Sequence, residues 1–166
     1  MLQKYNVLSV DCDWVGNFVM QTDLISFLIP ILNKQKNVYF SYDHHDINKY
    51  FNLEFKECNL HNIDHHHDAG YKMDELNLNE GNWLGHLFQI FPKKINYTWI
   101  CNPHSEHIQG QFRKNLLINM KSYSFDYSIN KLPKENYDMI FICCSPEYNS
   151  DLGISTYKIL ENVYGT

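Results

Sequence analysis

Five stretches of the chain, at about residues 5–12, 37–43, 60–66, 95–101 and 137–144, are apolar at successive positions and not merely at alternate ones. An extended strand turns successive side chains to opposite faces, so a run that is apolar throughout has to be covered on both. Parallel sheets sandwiched between helices have that requirement, whereas antiparallel sheets with one wet face do not. Helical spacing lies between the runs. Thr22 is a candidate cap for a helix over 23–32, and Pro30 should kink or end that helix near its close. A further helix is expected over 151–163, where Leu152, Thr156, Ile159, Leu160 and Val163 share a face behind Asn149 or Ser150 as cap. Residues 105–128 are polar apart from Leu116, Leu117 and Ile118, a pattern open to a helix or to a mobile rim. The expected fold class is α/β: a three-layer, mostly parallel sheet of about five to six strands with helices on both faces, in one domain spanning 1–166.

What distinguishes these strands is how they finish. The third runs into Asp64-His65-His66-His67-Asp68, and in extended chain Asp64, His66 and Asp68 project to one side. Two carboxylates and an imidazole suit a divalent ion of intermediate hardness, such as manganese, better than the thiolate set of a structural zinc. The first strand ends in Asp11-Cys12-Asp13 and the second in Asp43-His44-His45-Asp46. Like charges side by side at the end of a buried strand are costly unless a cation or a proton compensates them. In open α/β sheets ligands bind beyond the carboxyl ends of the strands, where Asp11, Asp13, His44, Asp64, His66, Asp68, Ser145 and Glu147 all fall.

The balance of charge narrows the partners. The net charge is −5 and Arg113 is the single arginine, so no clustered basic stripe is available for a nucleic-acid backbone, and a cationic substrate suits the chain better. The five cysteines have neither a disulfide-framework count nor a zinc-finger spacing, as expected of buried thiols in a reducing cytosol. The first residues lack the order of a signal peptide, and the longest apolar run, 24–32, is too short to cross a bilayer. A cytoplasmic protein without a membrane partner is expected.

Taken together, these strand ends resemble the arginase–deacetylase superfamily, and within it the small peptide arginase-like group. Ile63-Asp64-His65-His66-His67-Asp68 looks like the Asp-x-His-x-Asp metal motif, Val10-Asp11-Cys12-Asp13 like the Asp-x-Asp motif, and Tyr42-Asp43-His44-His45 like the turn that supplies another histidine. Glu80-Gly81-Asn82-Trp83-Leu84-Gly85-His86 is similar to a Gly-Asn segment lining the substrate pocket, and Cys144-Ser145-Pro146-Glu147 to a strand-end glutamate that receives a guanidinium group. The resemblance implies a ureohydrolase-like enzyme with two Mn2+ ions per chain, held by Asp11, Asp13, His44, Asp64, His66 and Asp68. Water so activated hydrolyses the guanidinium of an arginine in a peptide or protein, giving ornithine and urea. Asn82 and Glu147 are the implied substrate-binding residues, and His86 and Glu147 the implied catalytic ones. His86 is a displaced candidate, since the arginase spacing falls on Leu84. In arginases the Asp-x-Asp motif follows the Asp-x-His-x-Asp motif, and here it precedes it. The strands ending at Asp11 and Asp64 must therefore lie parallel with their carboxyl ends together.

Two other readings use the same residues. An Asp-His-His-type manganese phosphoesterase shares the Asp-x-Asp and Asp-His-His elements but needs a downstream glycine-rich domain. A non-catalytic metal-binding protein needs only the ligands.

Overall fold

The structure is a computed structural model, and it describes residues 4–52, 54–69, 77–105, 120–134 and 136–164. Six parallel strands form a single sheet: β1 (Lys4–Asp11), β2 (Val38–Ser41), β3 (Glu57–Asp64), β4 (Ile95–Cys101), β5 (Ser122–Asp126) and β6 (Met139–Cys143), in the spatial order β2-β6-β1-β3-β4-β5. The described α-helices are α1 (Phe18–Leu32), the single turn α2 (Ile47–Tyr50), α3 (Trp83–Ile90) and α4 (Asp151–Tyr164).

Alternation along the strands divides the apolar residues between two cores. Val7, Leu60, Tyr97, Trp99 and Phe141 face one side, where Ile47 of α2 and Trp83, Leu84, Leu87 and Phe88 of α3 cover them. Leu8, Val10, Ile63, Ile100, Ile140 and Ile142 face the other, beneath Leu24, Phe27, Leu28 and Ile31 of α1 and Tyr157 and Leu160 of α4. The result is the three-layer α/β arrangement expected from runs apolar on both faces. β5 is the exception: it is an edge strand carrying Ser122, Ser124 and Asp126, so it has no such run and reads as polar. The expected anchor Leu116-Leu117-Ile118 lies outside the described residues.

The helix boundaries follow local chemistry. α1 starts five residues before the expected Asp23, because Asn17 caps it, its side chain accepting from the Met20 amide at 3.0 Å. Thr22 lies inside the helix, its hydroxyl donating to the Phe18 carbonyl. Pro30 is interior but exposed, on the same outer face as Ser26, so the carbonyl it leaves without an N–H partner is open to water. Ser150 caps α4, accepting from the Gly153 amide at 3.2 Å. Gly153 is obligatory for packing, since a Cβ there would stand 2.4 Å from the Cys12 carbonyl oxygen in the turn after β1.

The chain leaves β1 toward β2 on one side and leaves β3 toward β4 on the other, so β1 and β3, which are neighbours, flank the switch point where such sheets bind ligands. Their register runs from Lys4 opposite Glu57 to Val10 opposite Ile63, and its next step sets Asp11 beside Asp64.

Replacing Pro30 by Ala restores the missing hydrogen bond and removes the ring's clash with the preceding turn. The variant should be more stable by about 1–3 kcal/mol, read as a higher midpoint in urea or heat. An unchanged or lower midpoint contradicts this account of α1.

Candidate metal centre

The centre lies on the face of the sheet covered by α3, where polar side chains replace apolar ones as the strands end. Ser9 and Asp11 of β1, and Asn62 and Asp64 of β3, continue the inward face of Val7 and Leu60. His44, in the turn after β2, reaches the same spot, with its ring 4.7 Å from that of Trp83 and stacked parallel to Phe141. Three carboxylate oxygens surround one of its nitrogens. Nδ1 is 3.3 Å from Asp11 Oδ2, 3.3 Å from Asp64 Oδ2 and 3.0 Å from Asp68 Oδ2, yet it makes no hydrogen bond with any of them. The nitrogen thus faces a space bounded by three oxygens and is left an orphaned buried polar atom.

β3 ends at Asp64, so Asp64, His66 and Asp68 do not share a face by strand alternation as expected. A turn brings them together instead. His66 N donates to Asp64 Oδ1 at 2.7 Å, and Asp68 adopts the left-handed conformation (φ 48°). That turn carries His66 to the other side of Asp64, where its Nδ1 is 2.8 Å from Asp13 Oδ2. Two potential ligand sets result, Asp11-His44-Asp64 and Asp13-Asp64-His66, each with its ligand atoms within 4.8 Å of one another. Asp64 belongs to both. Asp68 joins the first through its contact with His44.

The electrostatics match a site made for cations. Burial and the facing Asp68 and Asp13 push Asp64 well above the usual carboxylate range, against the pull of His44. Burial and Asp11 push Asp13 up to about 6, with His66 acting in the opposite sense. Burial pushes Asp68 up as well, but His44 and the Trp83 N–H outweigh it and its pKa is lowered. Burial disfavours a charged His44 or His66, and the carboxylates beside each overcome this and raise both. A buried set of carboxylates and imidazoles with an orphaned nitrogen at its centre fits divalent ions of the manganese type, with no thiolate among the ligands. The buried residues Asp11, His44, Asp64 and Asp68 would hold one ion, and Asp13, Asp64 and His66 a second.

Above the centre opens a cavity of about 530 Å³, lined by Asp11, Asp13, His44, His66 and Asp68 at its floor and by Asp43, His45, Leu78, Asn79, Glu80, Gly81, Ser145, Glu147 and Tyr148 around it. No Lys or Arg is among the described lining residues. Burial, reinforced by Glu147, Asp43 and Asp11, pushes Glu80 up to about 7.

Glu147 therefore stands at the cavity, where the sequence places it, whereas the other two pocket residues do not line it. His86 sits one turn into α3, outside the lining. Asn82 is buried, its side chain accepting from Asn79 N at 2.8 Å and donating to Asn77 O at 3.0 Å, so its amide shapes the loop over the cavity and does not present to it. Residues to which the motifs assign no role complete the site. Ser145, also left-handed (φ 40°), donates to Asp11 Oδ2 at 2.5 Å, and Trp83 Nε1 donates to Asp68 Oδ2 at 2.6 Å. Ser9 and Asn62 carry a signal that sequence alone can reveal: each is a polar residue inside an apolar strand, two positions before the aspartate with which it shares a face. Compared with protein families, curated proteins and solved structures, the chain matches none. No described helix is long and apolar enough to cross a membrane.

Because Asp64 is in both ligand sets, Asp64→Asn should lose tight binding of both ions, whereas Asp68→Asn should weaken only one. Metal content of the two purified variants checks this, and full loading of the Asp64 variant is incompatible with a shared ligand.

A pH dependence follows from the same groups. Asp64, Glu80, His44 and His66 all hold protons in the folded chain at pH values where the unfolded chain has released them. His61 and His67, lowered to about 4 by burial, act oppositely, but only below about pH 6.5, where unfolded histidine is charged. Above that pH the folded, metal-free chain binds more protons than the unfolded one, so its stability falls as pH rises. The melting midpoint of chelator-treated protein should drop between about pH 6.5 and 8, and manganese should raise it more at the upper end, because binding displaces those protons. A midpoint that climbs over this range without metal overturns the prediction.

Proposed function

We propose that this chain is a metal-dependent hydrolase of the ureohydrolase type, which cleaves the guanidinium group of an arginine side chain in a peptide or protein to give ornithine and urea. The observation that carries the reading is the pair of ligand sets sharing Asp64 at the floor of a cavity whose described lining has carboxylates and no basic residue. Two divalent ions in such a site supply a nucleophile from water near neutral pH. The chain's own residues do the rest. Asp64 holds the two halves in register, Glu147 at the cavity offers a carboxylate to the planar N–H edge of a guanidinium, and Tyr148 beside it offers an aromatic face. Glu80 faces the cavity with a pKa of about 7, matched to passing a proton to the departing amine near neutral pH. That task falls to Glu80 because His86 is not among the lining residues. The same acidic lining disfavours the phosphoesterase alternative, since a phosphate entering it meets Asp43, Glu80 and Glu147 without a compensating Lys or Arg among the described residues.

The experiment is urea release from an arginine-containing peptide by manganese-loaded protein, run beside phosphate release from a phosphodiester. Urea without phosphate supports the reading, and phosphate without urea replaces it. Protein that carries two ions per chain and releases neither leaves the metal-binding reading. For Glu147→Gln, a neutral amide no longer balances the guanidinium charge at an exposed rim. KM should rise about tenfold, or about 1.4 kcal/mol, with metal content unaltered. Unchanged kinetics would remove Glu147 from the substrate site.

A further inference from the structure

The two halves of the centre are built differently. In the half around His44, every inward ligand atom is braced from behind by a neutral group. Ser145 donates to Asp11 Oδ2 at 2.5 Å, Asn62 to Asp64 Oδ2 at 3.1 Å and Trp83 to Asp68 Oδ2 at 2.6 Å. Ser9 Oγ lies 2.7 Å from His44 Nε2, which leaves Nδ1 as the ring nitrogen facing the carboxylates. The four ligands are between 1% and 5% exposed. The braces fix position without bringing positive charge. This half is a cage already in shape for an ion.

The half around His66 is engaged with itself. Its Nδ1 is 2.8 Å from Asp13 Oδ2, Asp13 Oδ1 accepts from the His65 amide at 3.1 Å, and the His66 side chain is 31% exposed. An ion that takes Asp13 Oδ2 and His66 Nδ1 as ligands has to break the contact between them. Ligand atoms held by neutral outer partners bind an ion at little reorganisation cost, whereas ligands paired together must first be separated.

Building on the binuclear reading above, we propose that the centre fills in a fixed order. The braced cage of Asp11, His44, Asp64 and Asp68 takes the first divalent ion. The second enters more weakly between Asp13, Asp64 and His66, after the Asp13–His66 contact opens. The contact is then a latch, and the activity of the pair follows the free metal concentration needed to open it, not the tighter binding of the first ion.

The test is a titration of the metal-free full-length chain with Mn2+, followed by electron paramagnetic resonance and calorimetry. Up to one equivalent the spectrum should be that of isolated ions, and the signal of a spin-coupled pair should grow only toward two. His66→Ala should keep the first step and lose the second. Ser145→Ala and Ser9→Ala should each weaken the first step about tenfold, with circular dichroism confirming the fold, so that one informative variant remains if the other does not fold. A coupled pair present from the first substoichiometric additions, or loss of the first step in His66→Ala, overturns the order. Urea release separates this outcome from the function itself. Single-step loading with urea release sinks the order alone, and ordered loading without urea release sinks the arginine reading alone.

Discussion

Three carboxylate oxygens held within 3.3 Å of one imidazole nitrogen, on residues that are almost wholly buried, form the constraint on which the rest of the molecule depends. Two unit charges about 4 Å apart at a protein-like effective dielectric repel by about 4 kcal/mol, and Asp64, with a pKa well above the usual carboxylate range, holds a proton in response. A neutral hydrogen bond to a charged group returns only about 1.5–3 kcal/mol, so Ser145, Asn62 and Trp83 reduce this repulsion without cancelling it. Among the described residues, His44 forms an ion pair with each of Asp11, Asp64 and Asp68. A proton on His44, whose Nδ1 lies 3.0–3.3 Å from all three carboxylates, offsets part of that charge. Left-handed backbone at Asp68 and at Ser145 adds local strain of about 1–2 kcal/mol each. Charge and strain concentrated at one point, in a chain whose remaining interior is conventionally apolar, are what a bound cation would relieve.

The sheet topology makes that concentration possible. Parallel neighbours end at the same edge, and the switch in direction between β1 and β3 opens a crevice there. One step beyond the Val10–Ile63 pairing, Asp11 and Asp64 lie about 4.8 Å apart along the sheet. β6, inserted on the other side of β1, brings Ser145 to Asp11, and β2 beyond it brings His44. Four strands therefore each deliver one element of the cage. The reversed chain order of the Asp-x-Asp and Asp-x-His-x-Asp motifs is immaterial to this geometry, since register and adjacency decide which carboxylates meet, and crossovers allow strands remote in sequence to be neighbours.

Much of this was legible because burial on both faces leaves a plain mark. The runs containing Val7–Val10, Leu60–Ile63 and Ile140–Cys143 are apolar at every step or nearly so, and the ligands stand where those runs stop. β5 left no such mark, because an edge strand with Ser122 and Ser124 on it does not bury both faces. The start of α1 was misplaced because Thr22 and Asn17 are both competent caps, and what decides between them is the tertiary position of the turn over Trp14–Gly16. The grouping of Asp64, His66 and Asp68 was legible, but its cause was not. Strand alternation and a tight turn can bring the same three side chains together, and only the turn sends His66 across to Asp13. Trp83 and Ser145 are chemically ordinary in the sequence. Their part comes from where the second-layer backbone sets them, which a linear pattern does not record.

The division between floor and rim also bears on what enters the cavity. The floor carboxylates are committed to one another and to the imidazoles, so two divalent ions would largely neutralise them. Asp43, Glu80 and Glu147 at the rim are not part of the two ligand sets around Asp64, and their charge persists when the floor is filled. Burial raises the pKa of Glu80 to about 7, and Glu147, Asp43 and Asp11 add to the shift. A cation arriving between them relieves the repulsion, whereas an anion aggravates it. An acidic rim above this floor therefore suits a cationic group better than an anionic one, by the repulsion an anion meets as much as by the contact a cation gains.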